Sequence, residues 1–212
     1  MLEANGLECI RGERRLFTDV KFQLAEGEML FVQGKNGSGK TSLLRMVCGF
    51  SPPAAGTIRW RGTEIGKLGE DFRRELCYLG HLNAIKDDLT ALENLQASAR
   101  LADEALDEGR ALDALEQVGL AGREALACRY LSQGQKRRVA LARLVNERRA
   151  LWVLDEPYVA LDSAAIELVA GLIGAHLQRG GLALLTTHQS VPVSAGALRE
   201  LILEPPPASR KG

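Results

Sequence analysis

The chain has 212 residues, 46% of them apolar and 25% charged, with 27 Lys and Arg set against 27 Asp and Glu. That length supports one sizeable core with at most a small satellite subdomain, and the zero formal charge argues against a protein that grips nucleic acid through a broad basic footprint. No stretch approaches the roughly 20 apolar residues of a membrane span, and the opening MLEANGLECIRGE has early acidic residues and no apolar run of signal-peptide type.

In chain order, residues 2–9 and 16–24 read as short strands, the second alternating as F-T-D-V-K-F-Q-L. A turn at Glu26-Gly27 leads into the continuous apolar run Met29–Val32, of buried-strand type. Gly34 to Gly39 break that run, and a helix is expected from Thr41 to Gly49. The strand T-I-R-W and a turn at Arg61-Gly62 follow, then a strand L-C-Y-L ending at Gly80. Residues 90–119 are rich in Ala, Leu and Glu at helical spacing with no strand signal between, which predicts a helical subdomain over 82–135 inserted in an α/β core. The core resumes with helix 132–148, strand 151–154, helix 163–178 and strand 182–185. Strands alternating with helices predict a mostly parallel sheet covered on both faces. The expected domain is 1–204, with 205–212 (P-P-A-S-R-K-G and its preceding Pro) a frayed tail. Cys9, Cys48, Cys77 and Cys128 are scattered and read as reduced structural thiols, and His81, His176 and His188 are too dispersed for a metal cluster.

Two stretches carry chemistry. "GKNGSGKT", Gly34 to Thr41, satisfies G-x-x-x-x-G-K-[ST] between an apolar strand and a helix. Gly34, Gly37 and Gly39 let backbone N–H groups turn inward around phosphate oxygens, with the helix dipole behind them. Lys35, Asn36, Ser38 and Ser42 belong to the same cradle, Lys40 supplies a point charge to the β- and γ-phosphates, and Thr41 offers a hydroxyl to Mg²⁺. "ALWVLDEP", Ala150 to Pro157, is an apolar strand ending in two carboxylates. Asp155 is placed to hold Mg²⁺, through water, and Glu156 to polarise an attacking water as general base. His188 ends the strand L-A-L-L-T-T-H; it either reaches a γ-phosphate or is a surface residue at a strand end.

"LSQGQKRRVALAR", from Leu131, places Ser132, Gly134 and Gln135 at a second helix start suited to an anion. Two such starts in one small domain point to a site shared with the nucleotide of another copy. In this order the motifs resemble the ATP-binding cassette (ABC) ATPases. LSQGQ looks like that family's signature sequence, V-A-L-D at 159–162 like its D-loop, and His188 like its switch histidine. The resemblance implies a P-loop NTPase core of RecA-like type with an antiparallel β subdomain and an inserted α-helical subdomain. It also implies ATP and Mg²⁺ at the site, and a homodimer with a second ATPase subunit.

Y-L-G-H at 78–81, I-K-D-D-L-T-A-L-E-N-L at 85–95 and L-T-T-H-Q at 185–189 are similar to the ATP-binding subunits of cytochrome c maturation haem exporters. That narrower likeness implies an integral membrane partner of the cytochrome c maturation system, no nucleic acid, and work at the cytoplasmic face of the bacterial inner membrane. There, ATP hydrolysis would drive haem export or release of a haem-loaded chaperone. Two positions depart from the cassette pattern. His81 stands where a glutamine is expected, and the stretch C-I-R-G lacks the aromatic residue that stacks on adenine. Arg11 either stacks its guanidinium plane on the base or is a solvated surface side chain, and Phe17 is expected in the core.

Overall fold

The computed structural model describes residues 1–187 and 196–204. Strands β1 (Leu2–Arg11) and β2 (Arg14–Leu24) form a hairpin. A register shift between Ala4 and Leu7 moves the alternation by one residue, so that Leu2, Ala4, Leu7 and Cys9 are all buried. After β3 (Glu28–Gln33) and helix α1 (Lys40–Val47), β4 (Ala55–Trp60) returns to pair with β1, and the two-residue β5 (Thr63–Glu64) closes an antiparallel sheet of order β2-β1-β4-β5.

The second sheet contains β3, β6 (Leu76–Leu79), β7 (Leu151–Asp155), β8 (Leu182–Thr186) and β9 (Ala197–Ile202), in the order β6-β7-β8-β3-β9 with every pairing parallel. Its central strands β7 and β8 are buried along their whole length, as unbroken apolar runs in a doubly covered parallel sheet should be. One face, through Leu30, Val32, Leu151, Val153 and Leu184, packs with α1 and the antiparallel sheet. The other, through Phe31, Trp152, Leu154 and Leu185, packs under α6 (Gln133–Ala142) and α7 (Ser163–Gln178). Within that layer His176 stacks flat on Trp152, ring centroids 4.1 Å apart, and its Nε2–H donates to Leu182 O.

A third cluster is built by α4 (Ala91–Leu101), α5 (Glu108–Gln117) and α6 around Leu95, Leu115, Val118 and Cys128. Buried Asn94 fixes its entry: the side-chain amide accepts from Lys86 N–H and donates to Lys86 O and Thr90 O. Helix α6 belongs to both clusters, offering Val139 and Ala142 to the helical cluster and Ala140 and Leu141 to the sheet. It therefore welds the helical part to the core.

Three local features differ from expectation. The helix beginning near 132 ends at Ala142, then tightens into a 3-10 turn at Arg143–Val145. Glu147 explains the stop: its Oε1 accepts from the N–H groups of both Arg148 and Arg149, and its Oε2 holds the Arg149 guanidinium at 3.0 Å. Those bonds turn the chain back into β7. Strand β9 was not anticipated, nor were the short helices α2 (Ile65–Leu68) and α3 (Glu70–Arg74). All four cysteines are free and buried, and Phe17 is 1% exposed. His188 and the tail 205–212 lie outside the described residues.

Candidate active site

The loop after β3 is tight, and α1 begins at its far end. Gly39 caps that helix at φ 103°, and a Cβ there would sit 2.9 Å from the Phe17 ring, so only glycine lets the helix start against the hairpin. No side chain caps the N–H groups at the start of α1, which leaves them pointed at whatever anion the loop holds. Lys40 is only 8% exposed and donates its Nζ to Gly34 O at 2.8 Å, so its ammonium lies inside the curl of the loop. Ser38 Oγ is buried without a hydrogen-bond partner.

The end of β7 meets this loop. Thr41 Oγ1 donates to Asp155 Oδ2 at 2.9 Å, and Thr186 Oγ1 donates to Asp155 Oδ1 at 2.7 Å. Asp155 is 1% exposed and is held from both sides by hydroxyls. The same Thr186 oxygen accepts from Glu156 N–H at 2.9 Å. Glu156 itself stands at φ 50°, an uncommon backbone for a residue with a side chain, directly after the strand.

Around this point opens a cleft of about 760 Å³. Asn36, Gly37, Gly39, Lys40, Thr41 and Ser42 form its floor, and Asp155 and Glu156 one wall. Arg11, Arg14 and Leu16 from the hairpin line it too, as does His81. Arg11 thus faces the cleft rather than being elsewhere on the surface, and no Phe, Tyr or Trp is among the described lining residues. Gly34, Lys35 and Ser38 shape the loop without lining the cleft.

Ser132, Gly134 and Gln135 are not in their own chain's cleft. Ser132 caps α6 reciprocally: its Oγ accepts from Gln135 N–H, and Gln135 Oε1 accepts from Ser132 N–H at 2.9 Å. Such a capping box contributes about 1 kcal/mol to a helix start. Gly134 is needed for close approach, because a Cβ would lie 2.9 Å from Ala160 O in the loop after β7. Arg138 locks that loop, donating to both carboxylate oxygens of Asp162 at 2.7 Å. The LSQGQ start is therefore docked on the 159–162 loop, with exposed Ser132 and Gln133 turned to solvent.

Arg14, Thr186 and Arg137 escaped sequence reasoning as site residues. Thr186 pairs with Asp155 in the β7–β8 register, a relation no spacing rule reveals. Arg137 is 3% exposed and reaches from α6 to the backbone at Asp155 and Glu156. The signal for Thr186 was a polar residue ending an otherwise apolar strand; Arg137, inside the basic run Lys136–Arg138, carried none.

A G-x-x-x-x-G-K-T loop opening a helix, a hydroxyl–carboxylate pair at that helix start and a carboxylate one residue on are the pattern of a P-loop nucleotide hydrolase. The family model described as ABC transporter matches residues 17–159, and the chain belongs to that family; it is a cassette-type ATPase. It is 68% identical to the cytochrome c biogenesis ATP-binding export protein CcmA of Dechloromonas aromatica over 96% of this chain and 100% of that protein. To the protein of the same name from Nitrosomonas europaea it is 57% identical, over 96% and 95%. Among solved structures, a dimeric post-hydrolysis ATP-binding cassette bound to ADP and Pi superposes with TM-score 0.77 at 26% identity, covering 89% of this chain and 88% of that one.

Proposed function

We propose that this chain is the ATP-hydrolysing subunit of a cytochrome c maturation exporter, coupling ATP turnover to haem export or to release of a haem-loaded chaperone. The 2.9 Å contact between Thr41 Oγ1 and Asp155 Oδ2 carries the catalytic part of this reading, because it puts two hard oxygens at the mouth of a phosphate cradle. Those oxygens suit Mg²⁺, which takes one or two protein oxygens and completes its shell with phosphates and waters. Bound there, Mg²⁺ would neutralise charge on the β- and γ-phosphates.

The chain's own residues do the rest. Lys40 and the N–H groups at the start of α1 bind the phosphates, and Arg11 and Arg14 lie along the adenosine end. Glu156 orients the attacking water and takes up its proton on the side-chain carboxylate. His188 is proposed to contact the γ-phosphate. Ser132, Gly134 and Gln135 serve the nucleotide of a second copy, which makes the working unit a homodimer. The likeness to the two export proteins over nearly their whole length supports the transport role.

No helix among the described residues is long and apolar enough to cross a membrane. A separate integral membrane subunit is therefore proposed to supply the path, with this chain peripheral on the cytoplasmic face of the inner membrane. The test is affinity purification of the tagged chain from membranes, with ATPase activity measured before and after the bound membrane subunit is removed. A membrane protein of cytochrome c maturation that changes the ATPase rate is expected. A chain that retains no membrane subunit, with ATPase activity indifferent to membranes, contradicts the transport role.

A further inference from the structure

Arg137 lies in the second turn of α6, five residues after Ser132, and is almost wholly buried. Among the described residues its guanidinium pairs with no carboxylate. One terminal nitrogen donates to Glu156 O at 2.8 Å and Asp155 O at 3.3 Å. The other donates to Gly80 O at 3.1 Å and Asn83 Oδ1 at 3.2 Å, on either side of His81. Its Nε is buried with no hydrogen-bond partner among the described residues. A buried cation held by neutral oxygens is costly to keep, and a lysine ammonium, being a single point, cannot span two such pairs of acceptors. Desolvation lowers the Arg137 pKa, while the nearby Asp155 and Glu156 charges raise it, and a guanidinium stays protonated under that balance.

The contacts also define what the residue can report. The Glu156 peptide is pinned on its N–H side by Thr186 and on its carbonyl side by Arg137. Thr186 belongs to the rigid sheet, whereas Arg137 rides on the helix that begins with LSQGQ. Any shift of that helix start, or of the 80–83 loop, is transmitted to the left-handed backbone that aims the Glu156 carboxylate.

We infer that Arg137 is a positioning residue for hydrolysis, a fork that holds Glu156 in its working orientation only while the LSQGQ helix and the 80–83 loop are both seated. The inference rests on the reading of Glu156 as the base. It makes the catalytic carboxylate sensitive to two surfaces: the helix start offered to a second copy, and the loop around His81.

The test is steady-state ATPase kinetics of the full chain with its membrane subunit, for Arg137→Lys, Glu156→Gln and the double variant, with melting temperatures for each. Arg137→Lys should lower kcat by about ten-fold or more while KM for ATP stays within about three-fold, because the loss falls on the transition state. In the Glu156→Gln background the same change should lower the residual single-turnover rate by less than about two-fold, because residues acting as a unit are not additive. A wild-type kcat in Arg137→Lys overturns the inference, as does an equal further loss in the Glu156→Gln background. Should Arg137→Lys not fold, Asn83→Ala carries the same test: reduced kcat at unchanged KM supports the fork, and unchanged kcat overturns it. If Glu156→Gln turns over at the wild-type rate, the reading of the base fails first and takes this inference with it.

Discussion

Thr41 donates its hydroxyl hydrogen to Asp155 Oδ2 across 114 positions of sequence, joining the first turn of α1 to the last residue of β7. The two oxygens are brought together by parallel strands that end at the same edge of the sheet, with β8 between β3 and β7. Ligands of open α/β sheets collect at such carboxyl edges.

Replacing Glu156 by Gln keeps size and shape but removes the proposed base. ATP binding should persist while turnover falls by roughly 10²–10⁴-fold, the usual contribution of general base catalysis. Nucleotide binding by fluorescence, alongside phosphate release, separates the two effects; wild-type turnover removes Glu156 from the mechanism. Lys40→Ala should instead weaken nucleotide binding itself, since the ammonium sits within the phosphate loop.

Thr186→Val tests the hydroxyl that supports both acidic residues. The change is nearly isosteric but leaves Asp155 Oδ1 and Glu156 N–H without their shared partner. Each unsatisfied buried group costs about 1–3 kcal/mol. A lowered melting temperature together with reduced kcat is expected, and a variant with wild-type values in both would show the hydroxyl to be dispensable.

Acid sensitivity should trace to His176. Burial, with the ring stacked on Trp152, holds its pKa below the ordinary value of 6.5, with the bond to Leu182 O opposing that shift. The unfolded chain then binds a proton at higher pH than the folded one, so stability rises with pH across that interval. The stabilisation is present above about 6.5 and is lost as pH falls toward the depressed folded value. Melting temperatures between pH 7.5 and 5 should fall more steeply for the wild type than for His176→Phe, which keeps a ring on Trp152 but cannot titrate. Equal slopes in the two proteins would assign the acid loss to other groups.

The phosphate loop and the acidic strand end were legible because their chemistry is local. Glycines, a lysine and a hydroxyl must follow one another closely, and an apolar run must end in carboxylates. The core strands were legible for a similar reason, since doubly buried strands are continuous apolar runs. Strand β9 was not, because A-L-R-E-L-I is mostly exposed and pairs with β3 across more than 160 residues of chain. The end of α6 was hidden too: the apolar spacing continues past Ala142, and the stop depends on Glu147 folding back onto Arg148 and Arg149. Thr186 and Arg137 depend on strand register and on a helix crossing the sheet, and neither leaves a period in the sequence.

Each ATP is proposed to be hydrolysed between two copies of this chain, with the cleft from one and LSQGQ from the other. The direct measurement is ATPase activity of Ser132→Arg and Lys40→Ala, each alone and mixed one to one. Ser132 is exposed and absent from its own cleft, so Ser132→Arg alone should bind ATP normally and fail to hydrolyse it. A mixed dimer has one site damaged on both sides and one intact, so the mixture should recover roughly a quarter of the wild-type rate if subunits exchange freely and sites act independently. Loss of ATP binding by Ser132→Arg as a monomer, with no recovery on mixing, would put LSQGQ at its own chain's nucleotide and contradict the shared site.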